Sequence, residues 1–249
     1  MKKYFYLLAV ICTLGFTACS SDDDNNNTQR LEALEGTWNV EKTVIKEEGL
    51  LYDGSVQLNW EGKEGTSINI PMGDASIPMD IKQTALPLAA NMANESLPSV
   101  FKSVTFNADG TLTAQYKDEA TDTDWKTATG YATYKVVNDN LIMLYLNSDK
   151  ITENLDAEEK AQLSNILNQY SKEGIPVNLR WNSDKSKVYF YVDKNFVQPL
   201  ITSLAAMLDK VQETEDNAET LKMIKGIATQ LPTIMSNTTK FEAGIELQK

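Results

Sequence analysis

Histidine is absent from this sequence of 249 residues, and cysteine occurs only twice, at Cys12 and Cys19. Without histidine there is no Ser-His-Asp triad, no Cys-His pair and no His-ligated zinc, and beyond Cys19 there is no thiol for a disulfide or a nucleophile. Most hydrolase mechanisms fall away together, and no cofactor or metal is expected. A carboxylate pair or a Ser-Lys arrangement remains open because those residues are plentiful, but they fall at no distinctive spacing. Positive charge is scarce as well: 23 Lys plus Arg stand against 35 Asp plus Glu, for a net charge of −12, and the only arginines are Arg30 and Arg180. Nucleic acid is bound mainly by basic patches, so so acidic a chain is not expected to bind it. The apolar run Tyr4 to Phe16 is shorter than the roughly 20 residues a helix needs to cross a bilayer.

What is present begins with a leader. Lys2 and Lys3 precede that apolar run, and Thr17 and Ala18 lead into Cys19, which is the layout of a removed export signal over residues 1–18. The segment Phe16-Thr17-Ala18-Cys19 resembles a bacterial lipobox, in which the cysteine is acylated and becomes the new N-terminus. Phe16 departs from the leucine usual there, and an ordinary signal peptide with an incidental Cys19 is the alternative. Residues 19–30 read as a lipidated, disordered tether, because SSDDDNNN has no apolar area to bury. Cys19 to Asp24, CSSDDD, also resembles the acidic export signal of surface-exposed lipoproteins of the Bacteroidota. The resemblance implies an outer-membrane lipoprotein held by its lipid anchor, with its body facing the cell surface or the periplasm.

Residues 31–249 read as one mainly β (α+β) domain of antiparallel strands with helical insertions near 82–97, 155–172 and 195–235. Strand candidates are 55–60, 66–71 and 75–81, then the pairs 100–106 with 111–116, 128–137 with 141–147 and 176–181 with 187–193, and a closing strand over 239–247. Strict alternation places Lys102 on one face with Val104 and Phe106, and Pro98 is expected to end the first helix. The segment 141–146, LIMLYL, is apolar on both faces and calls for cover on both sides. A single apolar stripe is expected from Leu221 to Met235.

Gly36-Thr37-Trp38 at the start of this body resembles the first strand of lipocalin-like domains, whose Gly-x-Trp motif sets a tryptophan across the closed end of a β-barrel. The resemblance implies a lipocalin-like antiparallel β-barrel with Gly36 and Trp38 as its plug. It also implies an arginine late in the chain packed over that tryptophan, a role that would fall to Arg180. A barrel of this kind suggests a small apolar or amphipathic ligand, with Leu200, Leu204, Met207, Leu221 and Ile224 as pocket or lid, although plain core is the alternative for the same stripe. Trp60 and Trp125 are candidates for stacking against a sugar ring, the alternative being ordinary sheet packing. A structural or interaction protein working with an outer-membrane partner, including a glycan-binding accessory, and a carboxylate-based hydrolase are the competing functions. Asp118, Glu119, Asp122 and Asp124 cluster without the ordered spacing of a calcium loop and read as a solvated acidic turn.

Overall fold

The computed structural model describes residues 30–46, 51–72, 75–153, 160, 167–208 and 218–249. Its strands are β1 (Gly36–Val40), β2 (Val44–Lys46), β3 (Leu51–Asp53), β4 (Val56–Gly62), β5 (Ser67–Met72), β6 (Ala75–Asp80), β7 (Phe101–Phe106), β8 (Thr111–Tyr116), β9 (Lys126–Asn138), β10 (Leu141–Leu146), β11 (Ile175–Trp181), β12 (Lys187–Asp193) and β13 (Thr238–Gln248). The helices are α1 (Leu86–Val100), entered through one π-turn at Ile81–Ala85, α2 (Ser148–Ile151), α3 (167–172), α4 (Lys194–Leu208), α5 (Ala218–Ala228) and α6 (Leu231–Ser236).

β1 pairs with β7, and β7 to β13 follow as consecutive antiparallel neighbours. β13 returns to β1 through Asn39 opposite Gln248 and Val40 opposite Leu247, closing an eight-stranded barrel. The mainly β class and the antiparallel barrel with helical insertions are therefore as the sequence implies. Closure removes the free edges that an open sheet would expose.

β1 and β4 lie on the same edge of β13. Val40 opposes Leu247, Val56 opposes Ile245, and between them the Glu246 amide donates to the Ser55 carbonyl at 2.7 Å. They are two halves of one long strand, interrupted by an excursion that carries the β2–β3 hairpin. Buried Ser55 fastens the join, its Oγ accepting from the Glu41 amide at 2.9 Å.

Among the described residues no strand lies beside the far edge of β4, and α1 packs against β4. Asn94, 3% exposed, accepts from the Val56 amide at 2.7 Å and donates to the Val56 carbonyl at 3.0 Å, reproducing the two-bond pairing of a neighbouring strand. Pro98 does not end α1, as expected, but sits inside its last turn. Lacking an N–H, it leaves the Asn94 carbonyl free, and the Thr43 hydroxyl donates to that oxygen.

Among the described residues the barrel interior holds a packed cluster of aromatic and aliphatic side chains. Trp38, 0% exposed, donates from Nε1 to the Leu34 carbonyl at 2.6 Å. Its ring lies 5.8 Å from Trp181 and 6.4 Å from Phe190, and Phe106 stacks on Phe190 at 5.3 Å. Leu97, Phe101 and Tyr170, from α1, the start of β7 and α3, belong to the same core, and Leu200 of α4 packs against it. A smaller core lies on the flank, where Trp60, Ile68, Ile81 and Ile234 bring β4 and β5 against the π-turn and α6.

Local departures from the expected pattern have simple causes. A bulge between Phe101 and Ser103 turns Lys102 outward, away from buried Val104 and Phe106. The stripe from Leu221 to Met235 breaks into α5 and α6 at Thr229-Gln230, with Pro232 in the first turn of α6. On β10, Ile142 and Leu144 face the core, and the outward side chains Met143 and Tyr145 lie close against Gly174.

Candidate binding site

Among the described residues a cleft lies outside the barrel, on the flank. It has a volume of about 390 Å³ and is framed by the turn from β4 to β5 on one side and the α5–α6 corner on the other. The β4–β5 connection turns at Gly65, whose φ of 72° favours glycine. The corner forms because Pro232 cannot continue α5 and instead opens a new helix.

Two latches hold these walls in place. Gln230 accepts from the Asn69 amide at 2.8 Å and donates to the Asn69 carbonyl at 2.7 Å, and the Lys63 amide donates to the Asn237 carbonyl at 2.8 Å. Beneath them the Trp60 indole donates to Thr238 Oγ1, which donates on to the Ile234 carbonyl, each at 2.8 Å. Ile234, 7% exposed, supplies an apolar floor. Among the described residues the side chains of Ser67, Thr233 and Asn237 line the cleft without a hydrogen bond inside the chain. Lys63 and Glu64, both exposed, stand at its rim with opposite charges. The lining thus offers hydroxyls and an amide that both donate and accept, and little net charge.

A second cleft, of about 220 Å³, runs between β4 and α1 and is lined by Leu58, Trp60, Leu86, Pro87 and Ala90, with Lys82 also at its wall.

Gly36 and Trp38 lie in β1, Gly36 at a φ of 111° and Trp38 in the core. Arg180 does not cover Trp38. It points outward from β11, and the cation over the indole is Lys249, whose Nζ lies 4.9 Å from the ring centroid and donates to the Ala33 carbonyl at 2.7 Å. The correction follows from strand alternation: Leu179 and Trp181 face the core, so Arg180 between them cannot.

On the outer face Arg180 lies over the stacked Tyr189 and Tyr191 and donates to Glu242 at 2.7 Å. Burial pushes the Glu242 carboxyl up, but the Arg180 hydrogen bond and charge, with Lys240, outweigh it and hold the group below its ordinary value of 4.5. Burial raises the Tyr189 phenol, which donates to the Gln57 carbonyl at 3.0 Å.

Trp60 is largely buried and borders the second cleft. It is 9% exposed and belongs to the flank core, because β4 turns it toward α6. Trp125 is half-buried, with the ammonium groups of Lys117 and Lys102 at 4.9 and 5.9 Å from its ring centroid. Of the five lid candidates, three have described side chains. Leu200 packs on the barrel core, whereas buried Leu221 and half-buried Ile224 ride on α5, which packs against β5. The side chains of Leu204 and Met207 lie outside the described residues, as does Cys19. In the acidic turn Asp118 pairs with Lys126, and Asp122 accepts from the Glu119 amide at 3.1 Å. Ser67, Thr233, Asn237 and Lys249 carry no sequence signal of their own; the break at Thr229 to Pro232 was the one readable hint of the corner.

No protein-family model, curated protein or solved structure matches this chain.

Proposed function

We propose that this is an exported, lipid-anchored binding protein of the cell envelope that acts through its outer surface and not through a barrel lumen. The observation that carries this reading is the continuous core inside the barrel: the rings of Trp38, Trp181, Phe190 and Phe106 pack on one another, and Leu97, Tyr170 and Leu200 belong to the same cluster. A carrier of small apolar molecules needs a concave apolar space, and among the described residues both principal clefts lie outside this core. The leader, Cys19 and the acidic run after it supply the anchoring part of the proposal. Cys19 carries the acyl chains, the tether spaces the body from the outer membrane, and an outer-membrane protein or a glycan meets the exposed face. Two or three acyl chains would hold the protein stably, at about 0.8 kcal/mol per buried CH₂. The missing histidines and the single cysteine beyond the leader's Cys12 support a non-enzymatic role.

Two measurements test the proposal. Fatty-acid labelling of cells producing the chain should mark it, and Cys19→Ala should abolish both the label and membrane retention. Organic extraction of the chain purified from its own envelope should yield no stoichiometric apolar molecule beyond the anchor. Recovery of such a molecule, lost again when a barrel-core side chain is enlarged, would sink the surface reading.

A further inference from the structure

We propose that the cleft between the β4–β5 turn and the α5–α6 corner binds a neutral, polyhydroxylated ring, such as one sugar residue of a glycan. The inference rests on the surface-binding reading and names the ligand class for it. Sugar hydroxyls both donate and accept hydrogen bonds, so they are met best by groups that do the same. Ser67 and Thr233 provide two such hydroxyls and Asn237 a carboxamide, none of them engaged within the chain. Ile234 offers an apolar floor against which the C–H face of a ring can lie. The volume of about 390 Å³ falls in the range of small-ligand sites, which begins near 300 Å³.

Charge narrows the class. Lys63 and Glu64 offset each other at the rim, and the chain as a whole carries a net charge of −12. An anionic ligand would approach against that field, while a neutral one is indifferent to it. The walls need not be assembled on binding, because the Gln230 latch and the Lys63–Asn237 hydrogen bond already hold the turn against the corner. Little conformational entropy is then lost when a ligand enters.

The test is saturation-transfer NMR on the full chain in phospholipid nanodiscs, with the methyl glycosides of glucose, galactose, mannose and N-acetylglucosamine as probes. At least one should show transfer above empty nanodiscs. Thr233→Ala and Asn237→Ala should each weaken it up to roughly tenfold, the scale of one lost hydrogen bond. Thr233→Trp, at an exposed position, should fill the cleft and abolish transfer with the melting temperature unchanged. Lys82→Ala, in the second cleft, should leave transfer unaltered. Silence from all four glycosides overturns the proposal, as does stronger binding of methyl glucuronide than of the neutral probes. Transfer that survives Thr233→Trp overturns the cleft assignment and leaves the surface reading standing. That reading fails on a different result, an apolar molecule in the barrel.

Discussion

Trp38 and Trp60 stand in the two halves of one interrupted strand, yet their surroundings differ in kind. Trp38, in β1, is enclosed by the rings of Trp181 and Phe190 and covered by Lys249. Trp60, in β4, lies among isoleucines at the edge of the sheet and gives its indole hydrogen to Thr238. The difference arises where the strand is interrupted. Along β1 the sheet curls round until β13 meets it, so every inward side chain faces others across a closed core. Along β4 no further strand follows among the described residues, and helices pack there. Both clefts border this part of the molecule, one between the β4–β5 turn and the α5–α6 corner and the other between β4 and α1.

The sharpest way to break this contrast is to empty the barrel. Trp38→Ala should cost about 3 to 5 kcal/mol, read by chemical denaturation, with loss of the near-ultraviolet dichroism of the aromatic cluster. If Trp60→Ala destabilised the chain more, the barrel would not be the dominant core.

Asn94→Ala should come next, at about 2 to 3 kcal/mol, because it leaves the Val56 amide and carbonyl buried without partners. Hydrogen exchange should show protection falling first in β4, with β10 and β11 unaffected. Uniform loss across the barrel would mean that the two regions do not open separately.

A smaller effect, about 1 to 2 kcal/mol, is expected from the outer-face pair Arg180 and Glu242. Glu242 is 7% exposed in its side chain, but Arg180 is 51% exposed, so water screens the pair in part. The folded-state value of Glu242 is lowered, so the stability it contributes is present above its ordinary value of 4.5 and is lost as pH falls through the lower folded value. Glu242→Gln should therefore flatten the acid limb of a plot of melting temperature against pH. An unchanged limb would refute the assignment. Alkali acts in the opposite sense on Tyr170, whose phenol is pushed up to about 12 by burial: its contribution is present below its ordinary value of 10.0 and declines as pH rises from there.

Lys249→Ala should be mildest, at about 0.5 to 1 kcal/mol, with a changed Trp38 emission as the readout. A larger loss would mean that the Lys249 hydrogen bond to Ala33 closes the barrel end, and not only the contact with the ring.

Local structure was largely legible. Apolar patterning located β8 to β13, and the β7–β8 turn and the end of α3 fall at Gly110 and Gly174, whose φ values of 83° and 73° favour glycine. Gly36 and Trp38 lie in the first strand, and Trp38 is part of the core. Lys102 was misplaced because a bulge is an insertion in the pairing, invisible in one strand read alone. Pro98 was misread because its cost depends on whether another donor reaches the Asn94 carbonyl, and Thr43 is distant in sequence. The candidate site was the least legible part, since Ser67, Thr233 and Asn237 are ordinary polar residues on three short segments.

By itself the sequence determined which chemistries are excluded, which segments pleat and which coil, and that one face of each strand must be buried. These follow from residue inventory and from periods of 2 and 3.6 residues, which act within a few neighbours. Only the tertiary structure decided that Lys249, and not Arg180, covers Trp38, that Asn94 stands in for a missing strand, and that polar side chains converge between a turn and a helix corner. Apolar burial is non-directional and constrains no particular distant partner. Register and hydrogen-bond geometry make that choice, and they exist only once the chain has folded.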